Sequence, residues 1–256
     1  MAAHPCLVDS MTTQSPVALI TGSARRIGAS IARTLHAAGY DLALHYRGSA
    51  LEMQKLAAEF ESIRPGSVLT LQADLSEFDR LPELVAKTVG HYGRLDALVN
   101  NASAFQPTPI GTTTLRQWDE SFSSNARAPF FLAQAAAPHL KAARGAIVNL
   151  VDIYAERPLP GHTVYCMAKA ALLMATQSLA LELAPDVRVN AVAPGAILWP
   201  EQDHSDSAKQ AMLGRTPLAR TGTPEEIADT VRWLLRDATY TTGQVIRVDG
   251  GRTLAG

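Results

Sequence analysis

Two spacings of apolar residues alternate along this chain. Short runs in which nearly every position is apolar fall at residues 17–20, 42–45, 68–72, 97–100, 146–151, 187–192 and 245–248. They have the length of strands buried on both faces. Between them apolar residues recur every three to four positions, at 51–60, 81–89, 115–140, 164–183 and 224–235, and through Ile31, Leu35 and Ala38. Strand and helix in regular alternation predict βαβ units, and hence a single α/β domain: a doubly wound parallel sheet with helices on both faces. No internal repeat or low-complexity region interrupts the pattern. One long irregular stretch, 193–214, holds Pro194, Gly195, Trp199 and Pro200. Loops of that length in a compact domain are usually lids or binding segments.

Composition narrows the picture without changing it. The chain has 256 residues, 47% of them hydrophobic, which is enough for one large core, and a formal net charge of -1. A near-neutral balance gives no electrostatic reason to expect nucleic acid or an anionic membrane as partner. Cys6 and Cys166 suggest neither a disulfide framework nor a metal site, so a reducing, cytoplasmic setting is expected. Residues 1–15 read as a disordered leader with Met11 as the initiator, and residues 16–256 as the folded domain. No stretch reads as the ~20 consecutive apolar residues of a spanning helix.

Candidate chemistry begins with Tyr165-x-x-x-Lys169 and, thirteen residues before the tyrosine, Asp152 at the end of an apolar run. Residues four apart share a helix face, so the ammonium can lie beside the phenol and favour the phenolate. An exposed polar pair with no function has the same spacing. A second signal is independent of the first. The strand at 17–20 is followed at once by Thr21-Gly22-Ser23-Ala24-Arg25-Arg26-Ile27-Gly28 and then by a helical pattern. A strand, a glycine turn and a helix start form a phosphate site, because backbone amides and the helix N-terminus face the anion.

Taken together, Thr21-Gly22-x-x-x-x-x-Gly28, Asp74, Asn100-Asn101-Ala102, Asn125, Tyr165-x-x-x-Lys169, Pro194-Gly195 and Val248-Asp249-Gly250-Gly251 resemble the short-chain dehydrogenase/reductase family. The resemblance covers residues 16–251 and implies one Rossmann-type domain that moves hydride from a nicotinamide. By that resemblance Tyr165 donates the proton, Lys169 holds the ribose, Asn125 supports a proton-relay water, Asn101 and Ala102 line the cofactor cleft, and Asp74 with Leu75 contacts the adenine.

Departures from the family pattern bear on the substrate. Asp152 stands where most members have a serine that donates a hydrogen bond to a ketone oxygen. An ionised carboxylate only accepts, so it suits an N–H or amino group better than a carbonyl. Arg26 replaces a glycine, Ser103 follows Asn100-Asn101-Ala102, and Phe105 follows two residues later. Phe105 can form one wall of a slot for a planar heterocycle, the nicotinamide being the other. These residues, with Arg25-Arg26-Ile27-Gly28 and His45-Tyr46-Arg47, resemble the pteridine and dihydromonapterin reductase branch. The resemblance implies a pterin substrate gripped by Phe105, with Arg26 and Ser103 on cofactor phosphates and the substrate's polar edge, and Asp152 with Tyr165 managing the proton. Trp199 can cover the substrate or simply pack within its own loop. Asp152 also has the ordinary reading of a turn residue, Phe105 of a core aromatic and Arg26 of a solvated helix start.

The strand at 42–45 runs into His45-Tyr46-Arg47-Gly48-Ser49, without the acidic residue that binds both ribose hydroxyls of NAD. Arg25 and Arg47 can pair with a 2′-phosphate, and Ser49 can donate to it. The expected cofactor is therefore NADPH, and the expected reaction is reduction of a C=N bond in a dihydropterin. A carbonyl reductase acting on a ketone or 3-oxoacyl thioester is the alternative enzyme, and a non-catalytic NADPH sensor the alternative of another kind. Ala168, Ala170, Ala171, Ala175 and Ala180 permit close helix approach, and relatives in this family are commonly tetramers, so a homotetramer using 164–183 is expected. The cofactor reading is checked by titrating both dinucleotides against Arg47→Asp. Charge-assisted bonds of this kind contribute about 1.5–3 kcal/mol, so NADPH binding should weaken by roughly 10- to 150-fold and NADH binding hardly at all.

Overall fold

The computed structural model describes residues 14–197 and 213–255. Seven strands, β1 (Val17–Ile20), β2 (Asp41–Tyr46), β3 (Val68–Gln72), β4 (Ala97–Asn100), β5 (Ala146–Leu150), β6 (Arg188–Pro194) and β7 (Val245–Val248), form one sheet in the order β3-β2-β1-β4-β5-β6-β7. Every pairing is parallel. The central strands β1, β4 and β5 are buried along their whole length, which is why they read as unbroken apolar runs rather than alternating ones. Helices cover both faces, as the alternation predicts.

The helices are α1 (Arg26–Ala37), α2 (Ala50–Ile63), α3 (Leu81–Tyr92), α4 (Leu115–Phe122), α5 (Ala128–Ala143), α6 (Thr163–Glu182) and α7 (Pro224–Arg236). Two apolar cores result. On one face Ile31 and Leu35 of α1, Leu56 and Phe60 of α2, and Ile227, Val231 and Leu234 of α7 pack on the sheet. On the other, Leu84 and Val85 of α3, Leu132 and Leu140 of α5, and Leu179 of α6 do the same. The chain leaves β1 toward β2 on one side, and β4 lies on the other, so the strand order reverses beside the C-terminal end of β1. Ligand crevices in open α/β sheets form at that reversal.

Three features differ from the sequence expectation. The pattern over 115–140 reads as one helix, but α4 and α5 are separated by a π-helical turn at Ser123–Arg127, where the Ala128 N–H reaches back to the Ser123 carbonyl. Pro129, at the start of α5, has no N–H to give to a carbonyl of that turn. The apolar spacing survives the extra residue, so periodicity alone does not reveal it. Second, α6 is long and apolar enough to cross a membrane by length and composition, with a mean hydropathy of 1.4. Lys169 and Gln177 break the run to the eye while leaving its average high. Third, Ala168 and Ala180 of α6 are buried within the chain's own core, not on the face available to a second copy. That face carries Met167, Ala171, Met174 and Leu181 instead.

At the start of the described residues Gln14 donates from Nε2 to the Tyr92 carbonyl at 2.7 Å, and most of the expected leader lies outside them. Strand β6 runs on through Ala193 and Pro194, and Trp199 lies outside the described residues.

The glycine turn after β1 is set by close approach. Gly22 has φ +65°, and a Cβ there would stand 2.8 Å from the Ala102 Cα. A Cβ on Gly28 would stand 2.3 Å from the Gly22 carbonyl oxygen and 2.6 Å from Asn101 Nδ2. Gly28→Ala should therefore force the turn apart at a cost of about 1–3 kcal/mol, read as a lowered midpoint in urea or thermal unfolding. An unchanged midpoint would mean that the turn relaxes freely.

Candidate active site

Four loops meet at the C-terminal ends of β1, β2, β3 and β4. They line a cavity with Gly22, Arg25, Arg26, Ile27 and Gly28 from the glycine turn, and His45, Tyr46, Arg47, Gly48 and Ser49 after β2. Asp74 and Leu75 after β3, and Asn101 to Gln106 after β4, complete it. Thr21 Oγ1 accepts from the backbone N–H groups of Asn101 and Ala102, both at 3.0 Å, and Asn101 Nδ2 donates to the carbonyls of Thr21 and Gly22. The two loops are thus stitched into one wall. Helix α1 starts without a side-chain cap, so its first N–H groups remain for an anion. Arg26 takes a left-handed backbone with φ +53°, a conformation that a glycine would adopt without strain. An arginine there sacrifices local stability for a cation on the cavity rim.

A uncapped helix start, glycines that admit close backbone approach and two guanidinium groups together suit a dinucleotide with its pyrophosphate at α1. Pro194 and Gly195 are not among the residues of this wall. Gly195 packs on β7, its N–H donating to the Val248 carbonyl at 3.0 Å, and a Cβ there would lie 2.7 Å from the Asp249 Cα.

Beyond Ser103 and Phe105 lies the buried chemistry. Tyr165, in the first turn of α6, donates its phenolic proton to Asp152 Oδ2 at 2.7 Å. Asp152 follows the end of β5, and its Oδ1 accepts the Tyr154 N–H at 2.9 Å. Lys169 Nζ donates to the Leu150 carbonyl at 2.7 Å and lies 5.8 Å from the centroid of the Tyr165 ring. Tyr165 and Lys169 are 5% and 2% exposed, which rules out the reading of an exposed polar pair.

Burial dominates the protonation of all three groups. It pushes the Asp152 carboxyl up, against the pull of the Tyr154 N–H, Tyr165 and Lys169. Tyr165 is raised well above the ordinary phenol, by burial first and by the Asp152 charge and hydrogen bond second. Lys169 is brought down to about 8 by burial, with Asp152 opposing. This corrects the expectation that Lys169 draws Tyr165 toward phenolate. The carboxylate is the nearer partner, so Tyr165 is held toward its protonated form, while burial works against the charge on Lys169. Chemically, the pair is a proton donor backed by an acceptor, not a preformed base.

Asn125 is fully buried in the π-helical turn. Its Nδ2 donates to the carbonyls of Ala104 and Ser121, and its Oδ1 accepts from the Ser103 hydroxyl at 2.7 Å. The side chain therefore holds the 103–105 loop in place, and Ser103 is engaged with it. Phe105 is 55% exposed, and its ring meets Tyr165 edge-on at 4.8 Å. It is not a core aromatic.

Two contributors were not evident in the sequence. His162 stacks on Phe105 at 4.6 Å with the rings 12° apart, and its segment is tied to the Phe105 loop by the Thr108 N–H to the Gly161 carbonyl at 2.6 Å. Asn149 accepts from Asn100 Nδ2 at 2.8 Å and donates to Thr176 Oγ1 at 2.9 Å, a buried ladder that joins β4, β5 and α6 beneath the site. An asparagine inside an otherwise apolar strand is the signal that could have found Asn149. Nothing local marks His162.

Comparison with known proteins agrees with this geometry. The profile described as Enoyl-(Acyl carrier protein) reductase matches residues 22–253. The chain belongs to the short-chain dehydrogenase/reductase family, and is an oxidoreductase of the NAD(P)H-using kind. It is similar to "Pteridine reductase 1" of Leishmania tarentolae, at 40% identity over 95% of this chain and 99% of that protein. It is also similar to "Granaticin polyketide synthase putative ketoacyl reductase 2" of Streptomyces violaceoruber, at 39% identity over 94% of this chain and 97% of that one. A third relative is a 3-oxoacyl-(acyl-carrier-protein) reductase FabG of Staphylococcus aureus, 38% identical over 91% of this chain and 96% of its own.

Tyr165→Phe keeps the ring against Phe105 and removes the proton. Turnover should fall about 10²- to 10⁴-fold while cofactor affinity holds. Rapid-mixing measurement of hydride transfer together with a cofactor titration checks both, and turnover near that of the unaltered protein would assign the proton to another group.

Proposed function

We propose that this protein uses NADPH to reduce a C=N bond in a pterin, taking a dihydropterin to its tetrahydro form. The observation that carries the reading is the half-buried hydrogen bond from Tyr165 to Asp152 Oδ2 at 2.7 Å. Reduction of a C=N bond adds a hydride to carbon and a proton to nitrogen. Bound NADPH supplies the hydride. Tyr165 can give its proton to the ring nitrogen and regain one from solvent, and Asp152, as an acceptor, orients the phenol and an amino or ring N–H of the substrate. Lys169 favours a ribose hydroxyl, and its charge opposes the upward push of desolvation on the Asp152 carboxyl. Phe105 offers a flat apolar wall, which suits a bicyclic heterocycle.

NADPH over NADH is supported by Arg25, Arg47 and Ser49 around one end of the cavity and the lack of an acidic residue there in the His45-Tyr46-Arg47-Gly48-Ser49 segment. The relative named for pteridine reduction supports the substrate. Two relatives named as ketoacyl reductases favour the second reading, a 3-oxoacyl reductase. Against it stands the same carboxylate, which repels a developing alkoxide where a hydroxyl would donate to it. A homotetramer through the exposed face of α6 belongs to this proposal as well. Met174 and Leu181 on that face are 58% and 84% exposed.

The test compares Asp152→Ser and Asp152→Asn on dihydropterins and on an acetoacetyl thioester. Both variants should lose dihydropterin reduction by about 10²-fold or more, the range of a removed proton-handling group, and the serine variant should hold or gain ketone activity. Full dihydropterin turnover in the serine variant would overturn the pterin reading and favour the ketoacyl one.

A further inference from the structure

The end of β2 holds a second buried titratable group, one that the chemistry at Tyr165 does not use. His45 is 2% exposed and faces the glycine turn. Its Nδ1 lies 3.2 Å from the Gly22 N–H, and its Nε2 lies 3.1 Å from the Ala73 carbonyl. A backbone N–H can only donate and a carbonyl can only accept, so these two partners select one tautomer: Nδ1 bare and Nε2 protonated. The His45 carbonyl adds two more bonds, accepting from the Ser23 N–H at 2.9 Å and the Ser23 hydroxyl at 3.1 Å. One residue thus ties the glycine turn to the ends of β2 and β3.

We propose that His45 is a positioning residue for the cofactor, its neutral imidazole holding the Gly22 amide and the glycine turn in dinucleotide-binding form, so that acid loosens binding. A second proton would sit on Nδ1 and point at the Gly22 N–H, setting donor against donor inside a buried site. The turn would have to move. The charged groups that line the same cavity are Asp74 after β3, Arg47 beyond β2, Arg25 and Arg26 in the glycine turn and Glu52 of α2. Asp74 favours protonation, but burial outweighs it and holds His45 below the ordinary histidine range. The sign follows from linkage. With the folded midpoint depressed, the contribution is complete above the ordinary histidine range and is lost as pH falls through the folded value. The inference rests on membership of the dinucleotide-using family and not on the pterin reading, and its test uses no substrate.

The experiment is a calorimetric titration of the full chain with NADP⁺ between pH 7.5 and 5, for the unaltered protein and for His45→Asn. Asparagine can offer an oxygen to the Gly22 N–H that does not take up a proton in this range. The 2′-phosphate itself titrates near pH 6, as phosphate monoesters do, but it does so against both proteins and cancels in their ratio. Each protein's affinity is referred to its own value at pH 7.5, and by pH 5 the unaltered protein should have lost about tenfold more than the variant, the worth of one hydrogen bond. Parallel pH curves would overturn the proposal. Should the variant fail to fold, ¹⁵N-histidine spectra of the unaltered protein decide. The proposal requires an Nε2–H tautomer at His45 whose midpoint falls further when NADP⁺ binds, by reciprocity. An Nδ1–H tautomer, or a midpoint indifferent to the cofactor, would sink it.

Discussion

The site depends on a half-buried carboxylate and a buried phenol held against each other where the chain leaves β5 and later enters α6. Tyr165 is buried and Asp152 half-buried, and Ser103, Lys169 and a few backbone groups are what compensate the pair. A buried carboxylate with one partner removed would be costly, which makes the trio a cooperative unit rather than three separable residues. The parallel sheet is what permits this. It delivers Asp152 from the end of a fully buried strand and Tyr165 from a helix packed across it, on the edge of a crevice formed by strand reversal.

Around that unit the structure uses short-range ties to hold long loops still. The π-helical turn re-aims Asn125 so that its side chain captures the 103–105 segment, and π-turns are often found where function needs a side chain out of helical register. On the other side the Phe105 loop is fastened to 160–164, where His162 covers one face of the Phe105 ring. Phe105 and His162 thus form an aromatic pair on a braced loop. At the cofactor end the same principle recurs, with Thr21, Asn101 and His45 clamping the glycine turn from three strands.

The relatives place the chemistry within one family but on two substrate classes. Identities of 40% to a pteridine reductase and 38–39% to ketoacyl reductases do not by themselves choose between them. A fold shared by many chemistries is separated by its site, and here the separating atom is the acceptor oxygen that Asp152 puts where a hydroxyl donor is the family's common choice. A ketone calls for a donor at that point. A nitrogen heterocycle with N–H groups accommodates an acceptor.

Spacing along the chain determined the architecture. Apolar runs at 17–20 and 97–100, and the three-to-four-residue recurrence in α6 and α7, depend only on which side chains alternate, so strands, helices and their parallel arrangement were legible. So were the glycine turn, the tyrosine–lysine pair, Asp152 and the absence of an acid after β2, because each is a residue type at a fixed offset. What only the tertiary structure decided was how those groups share protons and space. Whether Tyr165 meets Lys169 or Asp152 depends on the path of the chain after Leu150, and the shifts of all three follow from burial, which no local pattern reports. The break at Ser123–Arg127, the packing of Gly195 against β7, the pairing of His162 with Phe105 and the partners of the His45 ring arise likewise from contacts between distant segments. Local sequence encodes the conformation of an element; the energy of a buried charge or hydrogen bond is a property of everything folded around it.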